Sequence, residues 1–288
     1  MKIFLYTSFA LIAFALNSIL CRFALGTEVI DAASFTTIRL LSGAVTLIAI
    51  SSFFGKNESK TKGGNWFSAF FLFGYAICFS LAYINLTTGT GALILFGTVQ
   101  ATMIFVALWS GERPRILEWF GLIFALGGLI YLVFPGLSSP PILSSLFMFT
   151  AGVSWGFYTL RGKSNSNPLE ATTGNFVRAV PMIILANLPF VFQMHLTSRG
   201  VLLSVLSGAI ASGIGYSVWY AALKFHTATR AAILQLSVPA LSAIGGVVML
   251  SENVSARLLT ATFLILGGIS LAIFGRKFDK SMTLAKQN

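Results

Sequence analysis

Ten apolar runs fill most of the chain, and the second five repeat the first. They cover residues 3–24, 32–54, 66–86, 90–110, 116–135, 142–161, 171–192, 200–223, 229–250 and 257–275. Each is close to the roughly 20 residues that cross a hydrocarbon layer of about 30 Å as a helix. Hydrocarbon offers a backbone amide no water, so each run must satisfy its hydrogen bonds within itself, which selects helices. The repeat shows in the few charged residues. Arg22, Asp31 and Arg39 recur as Arg161, Glu170 and Arg178, each 139 positions on. Glu112 recurs as Glu252, and Gly127-Gly128 as Gly267-Gly268, each 140 on. Five crossings is an odd number, so the second half enters the bilayer from the face opposite the first. Two inverted five-helix bundles around a shared centre is how many transporters are built. The expected fold is therefore an all-α polytopic membrane protein of ten transmembrane helices.

Composition excludes an ordinary soluble domain. Only 9% of residues are charged and the mean hydropathy is +0.85, where soluble chains carry about 25% charge. Pro135-Gly136 and Pro140-Pro141 mark a seam. They divide a first repeat over 1–136 from a second over 141–278, followed by a polar, mobile tail at 279–288. Lys2 and the first apolar run look like a secretory signal. The run is long for a signal core, however, and Arg22 has its counterpart in the body of the chain, so it is read as a span. Cys21 and Cys78 fall inside apolar runs and read as packing residues. No spacing suggests a metal site, and no cofactor is expected.

The formal charge of +11 could suggest nucleic acid. Its distribution argues against that. With the N-terminus inside, fourteen Lys and Arg fall on the inner face. Only Arg22, Arg199 and Arg257 fall on the outer one, and Arg39 and Arg178 lie within spans. This is the positive-inside pattern. It places both termini in the cytoplasm and turns the basic face towards anionic lipid.

These features resemble the drug/metabolite transporter superfamily, most closely its EamA-type branch. The resemblance rests on ten spans in two halves, an Arg early in spans two and seven, and an acid after spans four and nine. It also rests on Val238-Pro239-Ala240, Leu250-Ser251-Glu252 and Leu266-Gly267-Gly268 in the second half. Trp109-Ser110-Gly111-Glu112 and Leu126-Gly127-Gly128 carry it in the first. Where the second half has Pro239 the first has Val99, followed by Gln100, so a bend expected in span nine has no counterpart in span four. The resemblance implies movement of small metabolites, often amino acids outward, across a bacterial inner membrane.

Polar groups inside a membrane helix are costly and mark functional candidates. Arg39 and Arg178 each lie eight residues past the acid that starts their helix, about 12 Å along the axis. A guanidinium can hold a carboxylate by paired hydrogen bonds; it can also snorkel or cap carbonyls. Asn17, Gln100, Gln235 and Asn175 offer donors and acceptors together, for a solute or for a neighbouring helix. Tyr75, Tyr83, Trp155, Tyr158, Tyr216, Trp219 and Tyr220 supply apolar walls with a polar handle, or a helix seam. The 27 phenylalanines are assigned to core and lipid contact, not to the cargo. Ser204, Gly208 and Ser212 stand four apart in span eight and read as a close-packing face. Glu112 and Glu252 read as helix-end partners or caps of the helix that follows each, with gating as the alternative. All eight acids lie in loops, at span ends or in the tail. A carboxylate-driven proton antiporter is therefore not expected.

The reading is a carrier, with export or facilitated diffusion of zwitterionic or anionic solutes such as amino acids by alternating access. The expected partners are that solute and the bilayer, with no nucleic acid, for a chain acting as a monomer or weak homodimer. A polytopic membrane enzyme would need clustered acids, His or metal ligands, and a channel would need charged rings or a carbonyl filter.

Overall fold

The computed structural model describes residues 2–54, 63–109, 116–134, 139–162, 167–223, 225, 234–235 and 237–285. Glu112, Arg113 and Arg115 lie outside the described residues. The first half comprises α1 (Lys2–Gly26), α2 (Ala32–Phe54), α3 (Trp66–Tyr83), α4 (Thr88–Trp109) and α5 (Ile116–Val133). The second opens with α6 (Ile142–Gly162) and α7 (Pro168–Asn187), which a 3₁₀ segment, Leu188–Gln193, prolongs. Next come α8 (Ser198–Leu206) and α9 (Gly215–Leu223), joined into one span by a π-helical stretch, Ser207–Ile214. The last helices are α10 (Ser237–Leu250) and α11 (Ala256–Ala285). Among the described residues, seven helical stretches are long and apolar enough to cross a membrane. Three shorter apolar helices, Trp119–Leu132, Ser237–Leu250 and Ala256–Leu271, complete the ten.

Local chemistry starts several of these helices. Asp31 caps α2 by accepting from the Ser34 amide at 2.8 Å, and Asn65 caps α3 by accepting from the Ser68 amide at 2.9 Å. Thr197 caps α8 through the Gly200 amide at 3.0 Å. Pro168 opens α7, where a proline loses no helical hydrogen bond.

Helix pairing follows the order of the sequence repeat. α5 packs on α11, α2 on α7, and α4 on α10, each helix against its own repeat mate. The remaining cross-contacts come in matched sets. α3 meets α6 as α1 meets α8, the π stretch and α9; α4 meets α6 as α1 meets α10; α3 meets α7 as α2 meets the π stretch. The repeated glycines explain one such match. A Cβ on Gly128 would strike Leu264 and Ile265 of α11, and one on Gly268 would strike Gly121 and Ala125 of α5. Gly127 and Gly267 face open space.

Large apolar side chains stay exposed around the bundle, with Phe192 98%, Trp109 84% and Phe263 80% accessible. In water such a surface would drive association; here it faces lipid. One element departs from expectation. α11 runs to Ala285, through most of the tail that the sequence sets aside as mobile. A polar segment needs only its own backbone ladder to continue a helix begun in the membrane.

Candidate functional site

A small cavity of about 20 Å³ lies at the centre of the bundle. α1 contributes Phe14, Asn17 and Ser18, and α3 contributes Tyr75 and Phe79. Leu95 and Phe96 come from α4, Trp155 from α6 and Tyr216 from α9. Both halves therefore share the walls. Trp155 is the hub: its ring lies 4.8 Å from that of Tyr75, 4.9 Å from Tyr216 and 5.4 Å from Tyr158. Phe14 packs edge-on against Tyr216 and Trp219, each at 5.7 Å.

Arg39 stands against this cage. It is 1% exposed. Its Nη2 donates to the Tyr75 hydroxyl at 3.2 Å, and its Nε donates to Ser212 Oγ at 3.3 Å. The guanidinium carbon lies 4.9 Å from the Phe79 ring centre and 5.3 Å from that of Tyr75. Nη1 is buried without a hydrogen-bond partner. Among the described residues no carboxylate pairs with Arg39, and the ion pair found is Arg22–Glu252. Removing a cation from water without an anion is expensive, and aromatic faces recover only part of that cost. The arrangement suits an incoming anion.

Asn17 ties three elements together. Its Nδ2 donates to the Tyr75 hydroxyl at 3.4 Å, and its Oδ1 accepts from Ser207 at 2.7 Å. Ser207 and Ser212 are five residues apart, which is the hydrogen-bond step of a π-helix. On an α-helix they would point about 140° apart. The π stretch turns both towards α1 and α2, one to Asn17 and the other to Arg39. Gly208 lies between them, where a Cβ would overlap the Arg39 carbonyl and Ser42. The spacing of Ser204, Gly208 and Ser212 thus serves close packing, and Ser212 also touches the site.

The other sequence candidates are placed apart from the cavity wall. Tyr158 and Trp219 form a second layer behind Trp155 and Phe14. Asn175 bridges the Asn65 amide at 3.0 Å and the Tyr158 hydroxyl at 3.5 Å. Arg178 is half-buried and donates to the carbonyls of Gly63 at 2.9 Å and Gly174 at 2.8 Å. The two repeat-related arginines therefore differ, one in the centre and one holding the loop before α3. Tyr83 sits at the end of α3, with its hydroxyl 3.3 Å from the Thr88 carbonyl. Gln100 and Gln235 are buried in spans four and nine and do not line the cavity.

Tyr75, an aromatic that the sequence offered as a wall, lines the cavity. Phe14, Phe79 and Phe96, three of the phenylalanines that the sequence set aside as core or lipid-facing, line it too. Ser207 backs it through Asn17, and sequence reasoning assigned none of these four to the cargo. Glu252 is a helix-end partner, one of the two roles expected of it: it accepts from Arg22 Nε at 3.3 Å. The helix it caps is α4 of the opposite half and not the one that follows it, through the Thr88 amide at 3.0 and 2.8 Å. A second cavity of about 180 Å³ lies between α2 and α7, and none of the residues lining it is charged. Among the described residues no three His, Cys, Asp or Glu side chains gather as metal ligands would.

Two bundles of apolar helices around a central cage define a multi-pass membrane protein. Residues 142–274 match the EamA-like transporter family. An uncharacterized protein of Pseudomonas aeruginosa is 46% identical over 94% of both chains. A protein of Salmonella typhimurium named a probable amino-acid metabolite efflux pump is 26% identical, over 70% of this chain and 72% of its own. A crystal structure 22% identical matches the fold with a TM-score of 0.65, covering 92% of this chain and 98% of the other. The chain belongs to the EamA-like transporter family: it is a multi-pass membrane protein that transports small molecules.

Proposed function

We propose that the protein carries amphipathic solutes bearing a carboxylate, amino acids among them, by alternating access around the Arg39 cage. One observation carries this reading: a fully buried guanidinium with an unpartnered nitrogen and, among the described residues, no counter-anion, set against aromatic walls. The guanidinium would take the carboxylate, and the aromatic rings would take the apolar part of the solute. The efflux pump of Salmonella typhimurium agrees with that class.

A cavity of about 20 Å³ holds one water, against the roughly 300 Å³ or more of a small-molecule site. The structure is thus a contracted conformer, and the halves must part to admit cargo. Among the described residues no acid lines the cavity, which favours export or facilitated diffusion without a proton carried on a cavity carboxylate. The Lys and Arg asymmetry supports a bacterial inner-membrane location with both termini cytoplasmic, and the chain acts as a monomer or weak homodimer.

Counterflow in proteoliposomes tests this. Amino acids and monocarboxylates should compete for uptake. Arg39→Ala should abolish saturable counterflow, and Arg39→Lys, which keeps the charge but loses the fork, should leave a small remnant. Competition by organic cations alone would overturn the assignment.

A further inference from the structure

We propose that Arg22 and Glu252 form the outer gate of the transport cycle, closed in this structure. The proposal rests on the carrier reading above and adds the contact that must break for the site to open outward.

The gate is one knot joining four helix ends. Arg22 Nε donates to Glu252 Oε1 at 3.3 Å. Arg22 Nη1 also donates to the carbonyls of Tyr83 at 3.2 Å and Ile84 at 2.7 Å, where α3 ends. Both oxygens of Glu252 accept the Thr88 amide at the start of α4. Carboxylates are favoured at helix N-termini, and hydrogen bonds to ions are the strong ones. Arg22 and Thr88 belong to the first half, and Glu252 follows α10 in the second. Rocking one half against the other cannot leave this knot intact.

Its position fits a gate. Ser18 and Phe79 line the cavity. Arg22 and Tyr83 lie four residues further along the same helices, about 6 Å towards the outer face. Tyr83 meets Phe79 edge-on at 4.7 Å. The layers run from cavity to Phe79, to Tyr83, to the ion pair. The ionic side chains are 22% and 11% exposed, so water reaches the pair and can take over its hydrogen bonds when it parts.

The turn that delivers Glu252 is itself strained. Ser251 has φ +53°, a left-handed conformation that a non-glycine residue holds only under constraint. The carboxylate folds back over Gly246, where any Cβ would collide with it. A merely decorative surface acid needs neither feature.

The test reads accessibility and needs no substrate. In a Cys21→Ser, Cys78→Ser background, Ser18→Cys reports on the cavity. An impermeant thiol reagent is applied to right-side-out and to inside-out vesicles. Glu252→Gln should speed labelling from the outside roughly tenfold, the shift expected on losing one strong charge-assisted contact, and leave labelling from the inside unchanged. Arg22→Gln should do the same. Glu252→Asp, one methylene shorter, should give a smaller acceleration and guards against misfolding of Glu252→Gln. Unchanged labelling from outside, or equal acceleration from both faces, overturns the gate. Counterflow judges the carrier reading separately: a failed gate with intact carboxylate counterflow leaves that reading standing, and the reverse outcome leaves the gate standing.

Discussion

At the scale of single residues, the Tyr75 hydroxyl is the most heavily used polar atom of the site. It accepts from both Arg39 and Asn17. Tyr75→Phe leaves two buried donors short of an acceptor, which typically costs about 1–3 kcal/mol. Thermal unfolding in detergent should show that loss, together with weaker solute binding; an unshifted melting temperature would mean that water fully replaces the hydroxyl. Asp31 carries a pH dependence. Burial pushes its carboxyl up, but bonds from Ser34 and from the His195 amide outweigh that and hold it below the usual aspartate range. The folded state therefore keeps Asp31 ionised at a pH where the unfolded chain protonates it. The stabilisation is complete above the unfolded value of about 4 and drains away as pH falls through the lower, folded value. Asp31→Ala should cost on the order of 1 kcal/mol near neutrality. The gap from the parent should narrow on acidification towards about pH 3. A gap that widens on acidification contradicts the assignment.

At the scale of elements, the π-helical stretch is the device that aims Ser207 and Ser212 at the site, and Gly208 allows α2 to approach it. Gly208→Ala puts a methyl group on the Arg39 carbonyl. Overpacking of this kind costs about 1–3 kcal/mol, and here it also displaces Arg39. The expected result is a lower melting temperature and weaker solute binding together. Gly127→Ala, which meets nothing within 4 Å, is the matched control and should stay within about 0.5 kcal/mol of the parent. Gly174→Ala should behave like Gly208→Ala, because its Cβ would fall on the Gly63 carbonyl that Arg178 holds.

At the scale of the whole molecule, the repeat predicts paired effects in the two halves. Gly268→Leu should split α11 from α5 and lower stability, whereas Gly267→Leu, facing open space, should be tolerated. The inverted arrangement also predicts a labelling map. Single cysteines at Glu28 and at Asn167, both exposed, should react from opposite faces of the membrane, Glu28 from outside. Reaction of both from one face would refute the threading.

Much of this was legible in the chain itself. Span number, helical class and the five-helix repeat follow from run length and from the spacing of a few charges, because hydrocarbon leaves a backbone few other solutions. Arg39 was legible as a candidate for the same reason: a cation in an apolar run is costly and must either serve the site or, as Arg178 does, cap carbonyls. The repeat, however, made Arg39 and Arg178 look equivalent. Only packing separated them, by setting one beside the aromatic cage and the other within reach of the Gly63 carbonyl. Phe14 and Phe79 could not be told from the other phenylalanines, since identical side chains differ only in what they face. Glu252 reached α4 of the opposite half through a left-handed turn that no local rule for helix ends anticipates. Periodicity and solvent thus determined the elements and their number. Contacts between residues far apart in the chain decided which polar groups meet, because those distances do not exist until the two halves have packed.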